Sequence, residues 1–536
     1  MTKIFEQLLK QRGLDESFLY PNYDELFDPF LLKDMRQAVD RICLARDKDE
    51  KVLIYGDYDA DGVTASTVLK TALLDFGVKK IEVVLPDRFV DGFGLKESAM
   101  PKILASKATL VITVDNGSMA NGVAGELKAQ GVDVIITDHH EIPAIPDKAV
   151  AVINPNRADE KYGKGLAGVG VAFCLARALN MEKNGGKCDG QEKWLLDLVT
   201  LGTICDLMPL RDANRILTYW GMTVLKKTRR SGLKELTKIA KIKLENANSQ
   251  TVGFQIGPRI NVAGRLEKAD LAYELLNAET RAQAYTLATE LDELNKRRKK
   301  MQEDIVSEAK GLVSAQDNVT IVCGNWHEGV VGIAAGHLVE EFKKPAIVLT
   351  KLEDGTLKGS GRSFGDFSLG EALRVCHDLL LGGGGHAAAC GLSLEASNFD
   401  AFKKRMNEYY ASLGLKNQEK YLRATSDIIL KDLKDINCDL YDEIQLLEPF
   451  GEGNVEPIFE LNATVKNHRI LKEKHLSLNV ADKDGREIKL IAFYAPEEWM
   501  KVQAGDKIQV QFTLSCNEWG GRKSIEGQIV GINLDK

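Results

Sequence analysis

Three runs of consecutive apolar residues, each closing on acidic or histidine side chains, constrain this chain more than any other feature. They are KVLIYGDYDADG from Lys51, ATLVITVDNG from Ala108 and VDVIITDHH from Val132. Each reads as a short strand buried on both faces, and the intervening VTASTVLKTALLDFG and AGELKAQG read as crossover helices. Strands spaced by helices in this way make a parallel α/β sheet, which presents ligands at the carboxyl ends of its strands. The polar clusters are therefore expected along one edge of one sheet.

The rest of the chain divides by changes of pattern. Residues 1–49 read as a helical preface and 50–266 as the parallel α/β domain, in which LLDLVTLGTICDLMPL forms a buried helix ending near another carboxylate. Residues 267–314 contain almost no Gly or Pro and place apolar residues near helical spacing, so a long connecting helix is expected, with a break near Asn277. Its basic run, Lys296, Arg297, Arg298, Lys299 and Lys300, reads as a solvated face. A second α/β lobe over 315–412 holds VTIVCG, PAIVLT and the glycine-rich KGSGRS and LGGGGHAAACG. Residues 413–536 supply a linker and five strand-like stretches separated by charged or glycine turns, enough for a small barrel or sandwich.

Composition narrows the class. With 536 residues, 28% of them charged and 44% hydrophobic, the chain is neither disordered nor fibrous and is long enough for several domains. No apolar run approaches the roughly 18 residues that span a bilayer. The start, MTKIFEQLLKQRG, lacks a secretory leader, so a cytoplasmic location is expected and no membrane association. Nine cysteines without CxxC spacing point to reduced thiols rather than disulfides or a zinc knuckle. The net charge of −7 argues against indiscriminate nucleic-acid binding but leaves room for a local basic groove.

The candidate chemistry lies at the strand ends. Asp57, Asp59 and Asp61 alternate after the first strand; the 12-residue pattern of an EF-hand calcium loop is missing, so the choice is between a metal site and an acidic turn or helix cap. Asp115 follows the second strand, and Asp138, His139 and His140 follow the third. Asp206, in GTICDLMPL, is a further carboxylate in apolar surroundings, either a helix cap or a buried charge with a partner. Together Asp59, Asp61, Asp115, His139 and Asp206 make a mixed oxygen and nitrogen set suited to Mn2+ or Mg2+. Two such ions activate water and offset charge in phosphoryl transfer. The imidazole favours manganese, and no GxxxxGK[ST] phosphate loop is present to suggest ATP use.

YGDYDADG, VDNG, TDHH and GTICDLMPL, in this order, resemble the four motifs of the DHH phosphoesterase superfamily, and GGGGHAAACG resembles the glycine-rich motif of its DHHA1 domain. Within that superfamily the chain is similar to the bacterial RecJ family. The resemblance implies an α/β fold of two lobes, DHH and DHHA1, joined by a long helix and followed by a C-terminal OB-type barrel. Carried over motif by motif, the metal ligands are Asp59, Asp61, Asp115, His139 and Asp206, with Asp115 bridging two ions. Asp57 becomes an additional acidic group, Asp138 orients a histidine or its loop, and His140 faces the phosphate. Asn261 and Arg265 in IGPRINVAGRLEKAD become substrate contacts, the alternative being that Asn261 caps a turn and Arg265 pairs with a carboxylate. Arg88, Arg362 and Ser363 fall where a terminal 5′ phosphate or its neighbouring backbone is held, and His386 faces substrate. Phe493, Tyr494 and Trp519 in the barrel either stack on bases or pack its core. Cys205 departs from the small residue frequent at that place and leaves the adjoining carboxylate intact.

The activity this implies is single-stranded-DNA-specific 5′-to-3′ exonuclease action, releasing 5′ mononucleotides in recombination and repair. The implied partners are a single-strand-binding protein and a RecQ-like helicase, with the enzyme itself a monomer. Two alternatives stand beside it. One is a DHH phosphoesterase acting on short RNA or small nucleotides. The other is a noncatalytic single-strand-binding scaffold, which loss of the metal carboxylates would have supported.

Overall fold

The computed structural model describes residues 1–415, 424–519 and 522–534. By contact density the chain forms two compact units, Met1–Asp292 with Thr425–Lys536, and Glu293–Ala424. In the first, β1 (Lys51–Tyr55), β2 (Lys80–Val84), β3 (Leu110–Val114), β4 (Asp133–Thr137) and β5 (Ala151–Ile153) build an all-parallel sheet in the order β2-β1-β3-β4-β5. Every residue of β3 is buried, and so is every residue of β1 after Lys51, which is why these strands read as continuous apolar runs. The chain leaves β1 toward β2 on one side and β3 adjoins it on the other, so the crevice at the carboxyl ends of β1 and β3 is the switch point of the sheet. Helices Ala60–Phe76, Gly168–Lys183 and Leu196–Cys205 pack on one another, and all but the exposed end turns are buried.

The second unit carries β6 (Thr320–Gly324), β7 (Ala346–Lys351), β8 (Thr356–Arg362), β9 (Gly382–Gly385) and β10 (Ala389–Glu395) in the order β6-β7-β8-β10-β9. Only β6 and β7 run parallel; the other pairs are antiparallel. Phe367, Leu369, Phe402 and Met406 close its core over Ile347 and Leu349. The expected connecting helix is two helices, Asp270–Leu276 and Arg281–Lys310, with Asn277 as the C-cap of the first. Arg298, in the basic run, is no solvated charge. It is buried and donates to Asn295 Oδ1 and Gln302 Oε1.

The barrel belongs to the first unit. Its strands β11 (Ile428–Leu430), β12 (Phe459–Leu471), β13 (His475–Ala481), β14 (Glu487–Ala492), β15 (Lys507–Trp519) and β16 (Arg522–Leu534) follow the order β11-β12-β13-β14-β16-β15, and β15 pairs back onto β12 to close it. The fold is thus the expected α/β pair of lobes with an OB-type barrel. Phe493 and Tyr494 are exposed beside His475, whereas the side chain of Trp519 lies outside the described residues.

The first twenty residues are part of the barrel's core. Helix Lys3–Arg12 buries Phe5, Leu8 and Leu9 against Ile444, Leu447, Phe459 and Leu461, each such side chain contributing about 1.5–3 kcal/mol of burial. Thr2 N–H donates to Glu443 at 2.8 Å, and Arg12 pairs with Asp427 at 2.7 Å. Buried Arg215, on helix Asp212–Lys226, donates to four carbonyls, those of Phe18, Leu446, Leu447 and Glu448. One guanidinium thereby ties the N-terminal segment and the barrel's entry to the sheet domain.

Candidate metal centre and its surroundings

Each strand end contributes its ligands for a local reason. After β1 the chain turns into helix Ala60–Phe76 with Asp59 as N-cap, its Oδ1 accepting from Asp61 N–H at 2.9 Å and Gly62 N–H at 3.1 Å. The cap reading is correct for that oxygen and leaves the other carboxylate oxygen available. Asp61, on the first turn, accepts from Gly168 N–H at 2.7 Å and Val169 N–H at 2.9 Å, the first amides of another helix. Asp115 leaves β3 at φ 62°, a left-handed conformation that a non-glycine residue holds only when its surroundings impose it. Asp206 is the C-cap of helix Leu196–Cys205.

These ends meet. Asp115, His139 and His140 can offer ligand atoms within 4.8 Å of one another, as can Asp61, His139 and Asp206, and as can Asp57, Asp59 and Asp115. His139 Nε2 lies 3.1 Å from Asp115 Oδ1, 3.5 Å from Asp206 Oδ2 and 3.8 Å from Asp61 Oδ2. Asp57 Oδ1, Asp115 Oδ1, His139 Nε2 and Asp206 Oδ2 are all buried without a hydrogen-bond partner. Orphaned atoms of this kind normally find partners inside a protein, and four converging in one crevice fit a divalent cation. Burial, then the charges of neighbouring carboxylates, raises Asp61 to about 7 and Asp206 to about 9, and lifts Asp57 and Asp115 well above the usual range. Burial, then His140, lowers His139 to about 4, so its imidazole is neutral and Nε2 has a free lone pair.

Asp138 organises the two histidines. Its Oδ1 accepts from the His139 and His140 amides at 2.7 and 3.2 Å and lies 2.8 Å from His140 Nδ1, while Oδ2 accepts from Ser118 N–H at 2.9 Å. Burial would raise Asp138, but the His140 bond outweighs it and holds the carboxyl at about 2. The same bond overcomes burial on His140 and raises it to about 9, making it an imidazolium at neutral pH. Phe93 packs edge-on against that ring, centroids 5.0 Å apart.

The expected substrate residues fall into two groups. Arg88 stacks on Tyr58, 4.7 Å from the ring centroid, just outside the acidic cluster. Asn261 Oδ1 accepts the Ala60 amide at 2.8 Å, so it fixes the start of the ligand-bearing helix. Arg265 lies on the turn Ala263–Leu266, where a Cβ on Gly264 would sit 2.2 Å from the Tyr58 carbonyl. Arg362, Ser363 and His386 gather at one end of the second unit's sheet: Arg362 is in register with Ala389, Ser363 N–H donates to Ala388 and His386 N–H donates to Ala389. Arg362 Nη1 also donates to Ser360 Oγ and the Gly361 carbonyl. Half-buried Cys205 has its thiol raised by desolvation and then by Asp59 and Asp61, so it is inert. Its Sγ lies where a Cβ on Gly257 would be, at 2.3 Å, so it is a packing contact.

Several supporting residues escape sequence reasoning. Asn116 Nδ2 donates to the Tyr55, Gly56 and Val114 carbonyls and so ties the ends of β1 and β3 together. Asn154 holds Ser118 Oγ and the His140 carbonyl, and Asn156 holds the His139 carbonyl. Asparagines directly after strands, in VDNG and INPN, were the available signal. Gly168 and Gly202 are spacers: an added Cβ would meet Asp115 at 2.5 Å and Asp61 Oδ1 at 2.6 Å respectively.

Comparison with known proteins agrees domain by domain. Residues 51–203 match the DHH family N-terminal domain, 316–412 the DHHA1 domain and 427–531 the RecJ OB domain. The Bacillus subtilis single-stranded-DNA-specific exonuclease RecJ is 38% identical over 98% of this chain and 67% of its own length. The Escherichia coli RecJ is 33% identical over 92% of this chain and 89% of its own. The crystal structure of Thermus thermophilus RecJ in complex with Mn2+ superposes with a TM-score of 0.86, at 29% identity, over 99% of this chain and 76% of that one. The same protein in complex with Mg2+ gives 0.81. With its three domains matched in order and a carboxylate and histidine cluster that fits Mn2+ or Mg2+, the chain belongs to the RecJ family of metal-dependent single-strand-specific exonucleases.

Proposed function

We propose that this enzyme digests single-stranded DNA from its 5′ end and releases 5′ mononucleotides, as part of recombination and repair. The observation that carries the chemistry is the convergence of four unpartnered buried ligand atoms, from Asp57, Asp115, His139 and Asp206, at the switch point of the sheet. Asp59, Asp61, Asp115, His139 and Asp206 would hold two divalent ions, with Asp57 close enough to join the set. Bound divalent ions supply an activated water and neutralise charge on the phosphate under attack.

The protein's own groups do the rest. The Asp61 carboxylate is aimed by two helix amides, the His139 ring by the Leu166 backbone and the His139 main chain by Asp138. Asp138 keeps His140 protonated, and the half-exposed imidazolium faces the phosphate, where it stabilises negative charge or passes a proton to the leaving oxygen. Asn261 and Arg265 are substrate contacts near the centre, Arg88, Arg362 and Ser363 hold the terminal 5′ phosphate or adjoining backbone, where arginine gives paired charge-assisted bonds, and His386 faces substrate. The barrel retains the single strand, and Phe493 and Tyr494 are its exposed stacking candidates.

No helix among the described residues is long and apolar enough to cross a membrane. A monomeric cytoplasmic enzyme acting beside a single-strand-binding protein and a RecQ-like helicase is the setting the family resemblance supports. The test is digestion of 5′- or 3′-end-labelled single-stranded DNA with Mn2+, alongside duplex DNA and matched RNA, by the protein and its Asp115→Ala variant. Early release of mononucleotides from the 5′ end of DNA alone, abolished by the substitution, is expected. Preferential cleavage of short RNA would move the assignment to phosphoesterases of small substrates, and binding without cleavage to a scaffold.

A further inference from the structure

Leu207 and Phe254 are large apolar side chains that stand exposed on the segments around Asp206 and Asn261. Leu207 follows Asp206 directly, is 72% exposed, and holds φ at 56°. Its amide bonds back to Ile204 and the next one to Thr203, which makes it the residue after a helix C-cap. That place is ordinarily glycine, because a side chain there is strained. Phe254 is 76% exposed on the π-turn Val252–Ile256. Such turns are rare and concentrate at functional sites.

The π-turn packs on the same helix end that presents Asp206. A Cβ on Gly253 would lie 3.8 Å from Ile204, and one on Gly257 would meet Cys205 Sγ. The turn then runs directly into Gly257–Asn261, whose Asn261 fixes the Ala60 amide. Leu207 and Phe254 therefore rise from the two segments that carry Asp206 and Asn261. A leucine kept in a glycine conformation and left in water is explained by an occupant that arrives with substrate.

We propose that Leu207 and Phe254 form an apolar seat for one of the first bases of the strand being digested. They hold its nucleotide against the cluster by stacking and dispersion contact, independent of base identity. The occupant is a nucleobase because both side chains are apolar and rise from the segments that carry Asp206 and Asn261, beside which the strand is cleaved. The inference rests on the single-strand exonuclease reading.

The test is a scan in which one nucleotide at a time, from the first to the fourth at the 5′ end of a single-stranded oligonucleotide, is made abasic, with kcat/KM measured for each. The unsubstituted protein is expected to lose about tenfold at one position, the scale of one stacked base. Phe254→Ala and Leu207→Gly should each flatten that loss to under threefold. Leu207→Gly should do so while raising the thermal midpoint, since it removes the strained side chain. Leu74→Ala, which truncates a comparably exposed leucine in the last turn of Ala60–Phe76, should keep the full abasic profile. Robust digestion with no abasic-sensitive position, or an unchanged profile in both variants, overturns the seat alone. Failure of the unsubstituted protein to digest single-stranded DNA overturns the seat and the reading beneath it together.

Discussion

Replacing Gly168 by alanine tests whether the cluster is a metal centre built to close tolerance. Gly168 opens helix Gly168–Lys183, and its amide donates to Asp61 at 2.7 Å. A Cβ there would lie 2.5 Å from both the Cβ and Oδ1 of Asp115, where ordinary contact begins at 3.4 Å. The helix and the loop must separate by about 1 Å, and Asp115 has little freedom to yield because it sits at φ 62° with its amide bonded to Thr137. Overpacking of this size costs about 1–3 kcal/mol, which a unit of this size survives. The ligand geometry should not survive it, since a misplacement of roughly 1 Å at a reacting centre removes about a hundredfold in rate. Thermal unfolding with and without Mn2+ reads both effects. At an ion concentration of about 100 times Kd the unsubstituted protein gains about 2.7 kcal/mol, and the variant should gain almost none. Gly122→Ala, where nothing lies within 4 Å, is the control for a glycine in a neighbouring helix. Gly168→Ala with undiminished Mn2+ protection and activity within threefold of the original would refute the close-tolerance account.

Three further outcomes follow from the same geometry. Asp138→Asn removes the charge that orients both histidines, so Mn2+ affinity and activity should fall about 10- to 100-fold while the denaturation midpoint moves little; titration calorimetry checks the affinity. Arg215→Met leaves four carbonyls without their buried donor and should lower the free energy of urea unfolding by roughly 2–4 kcal/mol; a loss under 0.5 kcal/mol would mean that the guanidinium ties nothing together. Asp61 and Asp206 are raised to about 7 and about 9 without metal, whereas an unfolded carboxyl titrates near about 4. Between those values the native state keeps protons the unfolded chain has lost, so metal-free stability falls as pH rises from about 4 to 9. Mn2+ needs the ionised ligands, so the gap in thermal midpoint between Mn2+ and EDTA should widen from pH 5 to pH 8, and a constant gap would contradict the assignment.

The ligands were legible because each follows a strand whose burial on both faces writes an apolar run into the sequence. Asp59 shows where local reasoning divides: cap and ligand were set against each other, and one oxygen caps while the other stays free. Gly168 and Gly202 were not legible, since the atoms they make room for belong to Asp115 and Asp61, far away along the chain. Asn261 reads from the sequence as a substrate contact or a turn cap, and its side-chain oxygen accepts the Ala60 amide, a partner 201 positions away that no local pattern indicates. The buried face of Lys3–Arg12 was visible as a pattern, but only the fold reveals that it completes a barrel more than 400 residues later. The basic run on Arg281–Lys310 read as solvent-facing throughout, and Arg298 instead turns inward to two amide side chains.

The centre is electrostatically unfinished by design of its own ligands. Asp57, Asp61 and Asp115 are each at most 3% exposed, and burial is the largest influence raising every one, ahead of their mutual repulsion. The nearest imidazole, His139, is held neutral and contributes no compensating charge. The nearby imidazolium, His140, is already committed through Nδ1 to Asp138, which is not one of the crowded carboxylates. Arg88 sits on the Tyr58 ring rather than on a carboxylate. His140 and Arg88 offset only part of this crowding, and buried carboxylates of this number either take up protons or bind cations, the two alternatives excluding one another at each oxygen. β3, buried throughout, and β1, buried after Lys51, are braced by Asn116 and keep the ligands in place whichever of the two occupies them, so metal uptake exchanges protons for ions without refolding the crevice. Proton release on Mn2+ binding, measured in a weakly buffered solution at pH 7, should therefore accompany binding with no change in far-ultraviolet circular dichroism. A large spectral change would place the stability of the crevice in the metal rather than in the sheet.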